Sequence, residues 1–342
     1  MRTEDEMYKI LRLCKIQIMI KILAIILKTL KKYKIYEHSF SLHFCYINVI
    51  SIKGTFSVNP ILYIYNELVG GQEMEDIKKG ITSFQLKLYG IILMVFDHIG
   101  EFFAFLGAPV WFHWLGRLVA PIFLFTSSEG YIHTRNKKKY MFRLLLGFWI
   151  MNVGNYIVNQ YFQIGNMMVI NNIFGTLFLG VFYMYSIDMF SEGWNEKKKS
   201  KIFGSIVLML IPILMCVIVL IALSSTGSNS IYLKIFTTLM NIVPIPIIVE
   251  GGPLFIILAV LFYKFHGRKG MQVGALVTVA LLAYFTGTGN PFTENYQWMM
   301  CLASIPIVLY NGEKGRGMRN FFYFFYPAHI YILFFISYFM QK

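Results

Sequence analysis

The sequence predicts an all-α fold: a polytopic integral-membrane helical bundle of about nine to ten transmembrane helices with one broken or re-entrant segment. Three observations predict it. Of 342 residues, 57% are hydrophobic and only 14% charged, with a mean hydropathy of +0.59, where a soluble domain carries about 25% charged residues. The apolar residues fall in runs of spanning length, and a helix needs roughly 20 such residues to cross a bilayer. The lysines and arginines behind the net charge of +14 sit in short loops between those runs, the bias that marks cytoplasmic loops. That placement makes the lipid bilayer the partner and argues against nucleic acid. Cys14, Cys45, Cys216 and Cys301 are scattered, with no CxxC and no zinc spacing. They read as packing residues, and no metal is expected.

Residues 1–73 differ from the rest. Their apolar run is interrupted by Lys15, Lys21 and Lys28, which suits a signal anchor or an interfacial helix equally. A third reading is that translation starts at Met74, which is followed by the short polar segment EDIKKGITSF. Gly70-Gly71-Gln72-Glu73 can be encoded by purine-rich codons resembling a ribosome-binding site. We adopt that reading, so residues 74–342 form the membrane domain and 1–73 an atypical extension.

Charge then sets the topology. Lys78 and Lys79 place the start inside. Span one (84–106) goes out and span two (112–131) returns to the basic loop His133 to Tyr140. Spans three (141–161), four (170–190) and five (202–223) follow. Residues 232–248, broken by Pro244 and Pro246, are expected to be re-entrant or interfacial, with a crossing that begins near Glu250. Broken helices are tolerated where the backbone lines a cavity or is buried in protein. Spans at 271–287, 296–310 and 320–340 complete nine crossings and one partial one.

Span one is the unusual one, because it carries Lys87, Asp97, His98 and Glu101. Ionisable groups at membrane depth are costly and mark a functional or a paired structural site. Lys87 and His98 are eleven positions apart, which puts them on one helix face with a separation of roughly 16 Å. His98 and Glu101 are one turn apart. An imidazole beside a carboxylate is a general-base unit, the carboxylate fixing the tautomer and stabilising the imidazolium. The plainer alternative is a structural Asp97–Arg117 pair with His98 hydrogen-bonded nearby; the Asp-His pair with Glu three positions on favours function.

Elsewhere, Glu129 and His133 are an i, i+4 pair at a helix end. His133, Arg135 and Lys137 to Lys139 form either a phosphate-binding cluster or simply the positive-inside signal. Asn171 and Asn172 either cap span four or line a site. Asp188 reads as interfacial. Lys87, Glu250 beside Gly251-Gly252, and His329 after Pro327 are expected on a cavity wall. Tyr310, Tyr323 and Tyr326 read as membrane-interface anchors.

The motifs FDHIG (96–100), GRLVAPIF (116–123), EGYIHTRNKKKYMFRLL (129–145), NNIFGTLFLG (171–180), LYNGEKG (309–315) and FFYFFYPAHIYIL (321–333) together resemble the TraX family. That family takes its name from a conjugative-plasmid protein that N-acetylates pilin. The resemblance covers roughly Ile81 to the end, and residues 1–73 have no counterpart in it. It implies a multi-pass enzyme of the bacterial cytoplasmic (inner) membrane, N-terminus inside. The enzyme would use acetyl-CoA to acetylate an amine or hydroxyl of a pilin-like protein or an envelope glycan. The chain is also distantly similar to membrane acyltransferases that decorate surface glycans, which carry an Arg and a His eleven apart on the first span; here Lys87 stands in the arginine position.

On that resemblance His98 is the base, with Asp97 or Glu101 orienting it, and Arg117 or Asn172 stabilises the oxyanion. Glu129, His133, Arg135, Lys138 and Arg143 hold the co-substrate, and His98 should line a tunnel open to residues 133–140. Two rival readings remain: a proton-coupled transporter, which also needs buried Asp, His and Glu and a broken helix, and a non-catalytic envelope or pilus assembly protein.

Overall fold

The computed structural model describes residues 80–165, 167–224 and 238–342. Residues 1–73, the start at Met74 and the first part of the predicted re-entrant piece lie outside the described residues. By contacts the chain divides into Met1–Ile81 and Thr82–Lys342. The second unit is described here. Among its described residues the regular elements are helices, with isolated bridge residues and no strand.

Helix α1 (Ser83–Phe102) is span one. Thr82 starts it as a capping box: its hydroxyl accepts from the Gln85 N–H at 3.3 Å, and the Gln85 side chain accepts from the Thr82 N–H at 2.8 Å. The next free donors, the N–H groups of Ser83 and Phe84, reach the carbonyls of Glu313 and Lys314 at 2.8 and 3.2 Å. Span two is two helices, α2 (Trp111–Gly116) and α3 (Val119–Ile132). The break falls where Pro121 has no N–H to offer the Arg117 carbonyl.

Span three is α4 (Lys137–Tyr161), capped by the Asn136 side chain on the Lys139 N–H at 2.8 Å. Helix α5 (Ile173–Asn195) packs against α3, α4, α6 and α7 and is the centre of the bundle. Among the described elements, helix α6 (Lys199–Ser224) leans mainly on α5, and it presents Phe203, Leu210, Leu214 and Leu220 outward. Those exposed apolar side chains suit a face turned to lipid. Helices in lipid gain little from burying apolar surface against each other, so close packing carries the association. Gly147 on α4 shows this: a Cβ there would lie 2.9 Å from the Phe174 ring of α5.

Residues 238–242 are helical, and the chain then turns through Pro244 and Pro246. The free carbonyls of this broken stretch are satisfied by side chains. Trp149 Nε1 donates to Ile242 O at 2.7 Å, Asn152 Nδ2 to Asn241 O at 3.1 Å, and Thr176 Oγ1 to Glu250 O at 2.6 Å. Helix α7 (Gly252–Lys264) begins after Gly251, whose φ of 73° suits only glycine comfortably. Helix α8 (Lys269–Thr286), a 3-10 stretch (Tyr296–Ala303), the short α9 (Ser304–Leu309) and α10 (Arg319–Gln341) follow.

Five helical stretches are long and apolar enough to cross a membrane: Lys137–Tyr161, Ile173–Asn195, Lys199–Ile221, Lys269–Thr286 and Asn320–Gln341. Gly252–Lys264 and Tyr296–Leu309 are shorter apolar helices. Helix α1 has 20 residues but carries three charges, and α2–α3 is interrupted. The protein is a multi-pass membrane protein, with five spans evident by length and composition among the described residues.

Candidate functional site

The C-terminal half of α1 meets α2, α4, the start of α5, the broken stretch before α7 and the 3-10 stretch around a cavity of about 1100 Å³. Four of the charged or acid–base side chains on its wall were expected from the sequence to act together: Asp97, His98, Glu101 and Arg117. They are arranged as two separate units.

The first is His98 with Glu101. His98 is 4% exposed, and its Nδ1 lies 2.9 Å from Glu101 Oε2. A carboxylate accepts only, so Nδ1 carries a proton, and in the neutral imidazole Nε2 keeps its lone pair. Asn171 Nδ2 donates to the same Glu101 oxygen at 3.3 Å. Glu101 thus has two donors, one of which it orients. The His329 ring lies 5.1 Å from that of His98. His329 Nδ1 donates to Phe325 O at 2.9 Å, and its Nε2 is buried without a hydrogen-bond partner.

The second unit is Asp97 with Arg117 and His113. Arg117 Nη2 approaches both Asp97 oxygens, at 3.3 and 3.2 Å, and His113 Nδ1 donates to Oδ1 at 3.1 Å. Arg117 Nη1 also donates to Gln297 Oε1 at 3.1 Å and its guanidinium lies over the Tyr296 ring. Helix α2 comes close enough for this only because residue 116 is glycine: a Cβ there would stand 2.1 Å from Asp97 Cγ. The orienting partner of His98 in this structure is therefore Glu101, while Asp97 is taken up by its ion pair.

Glu250 lies on the cavity wall, with His98, Arg117, Asp97 and Glu101 as its electrostatic neighbours. Asn172 is also on the wall, but it does not cap α5 with its side chain. Its Nδ2 donates to Phe148 O at 3.0 Å and Asn152 Oδ1 at 2.7 Å. The Oδ1 atoms of Asn171 and Asn172 are buried without partners, so the wall beside Glu101 has acceptors to spare for a ligand that brings N–H or O–H donors.

The other expected site residues lie elsewhere. Lys87 and His329 are not on the cavity wall. Lys87 Nζ sits 5.9 Å from the Phe322 ring centre, and His329 is behind His98. None of Glu129, His133, Arg135, Lys138 or Arg143 lines the cavity either. The wall uses the C-terminal half of α4, whereas these residues gather around the turn before its N-terminus, so the expected tunnel to residues 133–140 is not this cavity. Arg135 and Lys138 are exposed, and Arg143 Nε donates to Lys139 O at 3.2 Å.

Glu129 and His133 do not pair side chain to side chain. His133 Nδ1 donates to the Glu129 carbonyl at 2.8 Å, and the buried Glu129 carboxylate accepts from His266 Nδ1 at 2.8 Å and Tyr310 at 3.4 Å. Asp188 is not a loose interfacial charge: Tyr131 donates to it at 2.6 Å, and Lys137 and Tyr263 also converge on it.

Tyr310 and Tyr326 are buried rather than interfacial anchors. The Tyr326 hydroxyl accepts from the first N–H of α5, that of Ile173, at 3.0 Å. His113, Tyr296 and Gln297 were missed by sequence reasoning. They meet Asp97 or Arg117 across different elements, and no spacing in the chain announces that.

A short stretch of 68 residues, 19% of this chain, is 40% identical to the probable fimbrial assembly protein FimC, serogroup H1, of Dichelobacter nodosus, and covers 27% of that protein's length. No solved structure matches the chain. The family described as TraX protein matches residues 83–337, which takes in both units of the cavity and all of the described spans but the last four residues of the final one. The chain belongs to the TraX protein family.

Proposed function

We propose that this protein is an integral-membrane acyltransferase of the bacterial inner membrane. It would move an acetyl group from acetyl-CoA to an amine or hydroxyl of a pilin-like or other envelope acceptor. The observation that carries the reading is the His98–Glu101 pair, its imidazole buried and its partners joined at 2.9 Å on the wall of a cavity of about 1100 Å³. His98 Nε2 takes the proton as the acceptor's nitrogen or oxygen forms its bond to the acetyl carbon. Glu101 stabilises the resulting imidazolium. The tetrahedral oxygen gathers negative charge, and Arg117 is the cation on the wall that can balance it. The carbon–sulfur bond then breaks, and the thiolate takes a proton as it leaves. The family's namesake and the fimbrial name of the relative support an acceptor in the pilus context.

Acetyl-CoA is phosphorylated, and His133, Arg135, Lys138 and Arg143 are the basic residues we assign to its phosphates. They stand away from the cavity, so the acyl-bearing arm must span about half a bilayer core, roughly 15 Å, to reach His98. In this reading α1 and the α2–α3 pair also cross the membrane, with the basic loops inside.

The test uses the purified chain, acetyl-labelled acetyl-CoA and an envelope fraction as acceptor. Label transfer that disappears in His98→Ala supports the reading. A proton-coupled carrier is the competing view, favoured by Glu250, a cavity carboxylate with no salt bridge among the described residues. If no acetyl-CoA is consumed with any acceptor fraction while proton flux depends on Asp97, the carrier stands instead.

A further inference from the structure

We propose that His133 and His266 form a two-histidine site for a borderline transition-metal dication of the Zn²⁺ class, joining the α3–α4 turn to the α7–α8 turn. The inference does not rest on the acyltransferase reading, although the two share His133, which that reading assigns to the acetyl-CoA phosphates. His133 ends α3, and His266 lies just past α7. Both rings are anchored on one residue: His133 Nδ1 donates to the Glu129 carbonyl and His266 Nδ1 to the Glu129 carboxylate, each at 2.8 Å. Because both Nδ1 atoms turn toward Glu129, both Nε2 atoms turn away from it. Neither Nε2 has a protein partner among the described residues, and both side chains are exposed.

This is the arrangement found around metal-ligating histidines, which give their second ring N–H to a carboxylate or a backbone carbonyl. The anchor is firm. Glu129 is 5% exposed, and Tyr310 donates to its other oxygen. The spacing also fits. Zn–N bonds of 2.0–2.1 Å put the centres of two rings sharing one ion roughly 5–6 Å apart, and here they are 6.0 Å apart in a T-shaped pair.

No group of three or more His, Cys, Asp and Glu ligands exists among the described residues, so water completes the shell and the ion is exchangeable. The same turns carry Arg135 and Arg268, which oppose a dication. The ion must therefore be one that imidazole prefers, such as Zn²⁺ or Cu²⁺ and not Mg²⁺ or Ca²⁺.

The experiment takes the full chain, purified in detergent without a polyhistidine tag, and titrates it with ZnCl₂ by calorimetry, with MgCl₂ as the control. The expected result is one Zn²⁺ per chain, lost in both His133→Ala and His266→Ala and weakened about 10- to 100-fold in Glu129→Gln. Cu²⁺ bound to the parent should show coupling to two nitrogens by electron paramagnetic resonance. Zinc binding unchanged in the His133→Ala/His266→Ala double variant, no binding to the parent, or copper coupled to fewer than two nitrogens overturns the proposal. If Glu129→Gln fails to fold, the two exposed histidine variants decide the matter alone.

Discussion

His98 is defined by what its Nδ1 touches. With Glu101 holding that nitrogen, Nε2 is the base in the acyltransferase reading proposed above, and on that reading we expect His98→Ala to lower transfer by at least about 10²-fold, the usual weight of a general base. Glu101→Ala should lower kcat more than it changes KM, read from initial rates at varied acetyl-CoA. Asp97 predicts a different outcome. Gly116→Ala drives a methyl group into its carboxylate and should cost about 1–3 kcal/mol, measured as a fall in Tm of the detergent-solubilised protein. The His98–Glu101 pair was legible in the sequence because three positions on a helix is a fixed spacing. The Asp97–Arg117 pair was legible because a buried charge demands a partner. His113 and Gln297 were not, since they reach Asp97 and Arg117 from other helices. Glu129 misled for a related reason: the four-residue spacing to His133 was real, but the backbone carbonyl took that histidine and His266 took the carboxylate.

Elements were the most readable level. Each described apolar run became a helix, and the pair of prolines after Val243 marked the irregular stretch. What the runs could not give was which ones break. Span two divides at Arg117 because of a proline four positions later, and the run at 296–310 opens as a 3-10 stretch. The stretch before α7 depends on α4 and α5 to satisfy its carbonyls. Thr176→Val removes one of those donors, and we expect a loss of about 1–3 kcal/mol from the stranded Glu250 carbonyl. Reduced protection from proteolysis at residues 244–250 would report it. At the start of α1, Thr82→Ala removes the cap and should cost about 1 kcal/mol, seen as a lower Tm with the cavity intact.

At the scale of the molecule, the charge pattern predicts sidedness. Single cysteines placed at Lys138 and at Thr293 should be labelled by an impermeant maleimide from opposite sides of the membrane, Lys138 from the cytoplasm. Labelling of both from one side would mean an even number of crossings between them and would overturn the charge-based topology. The basic turns explain why residues 133–143 looked like a binding site in sequence. Lysines and arginines at helix ends set orientation, and the same residues suit a phosphate, so composition could not separate the roles. The cavity was invisible for a simpler reason. It is made where the ends of several helices from distant parts of the chain converge, and its volume belongs to their packing.

The first turn of α1 gives its backbone donors to the carbonyls of Glu313 and Lys314. The helix bearing His98 is made early in synthesis, yet the groups that finish its first turn emerge some 230 residues later (83 to 313). A nascent chain halted before the last loop therefore leaves the Ser83 and Phe84 N–H groups of that helix without their carbonyl partners, with only the local Thr82–Gln85 cap in place. Ribosome-bound chains ending at residue 308 should expose that segment to protease, and chains ending at 342 should not. The start of the His98 helix is thus completed only once residues 313 and 314 have been made.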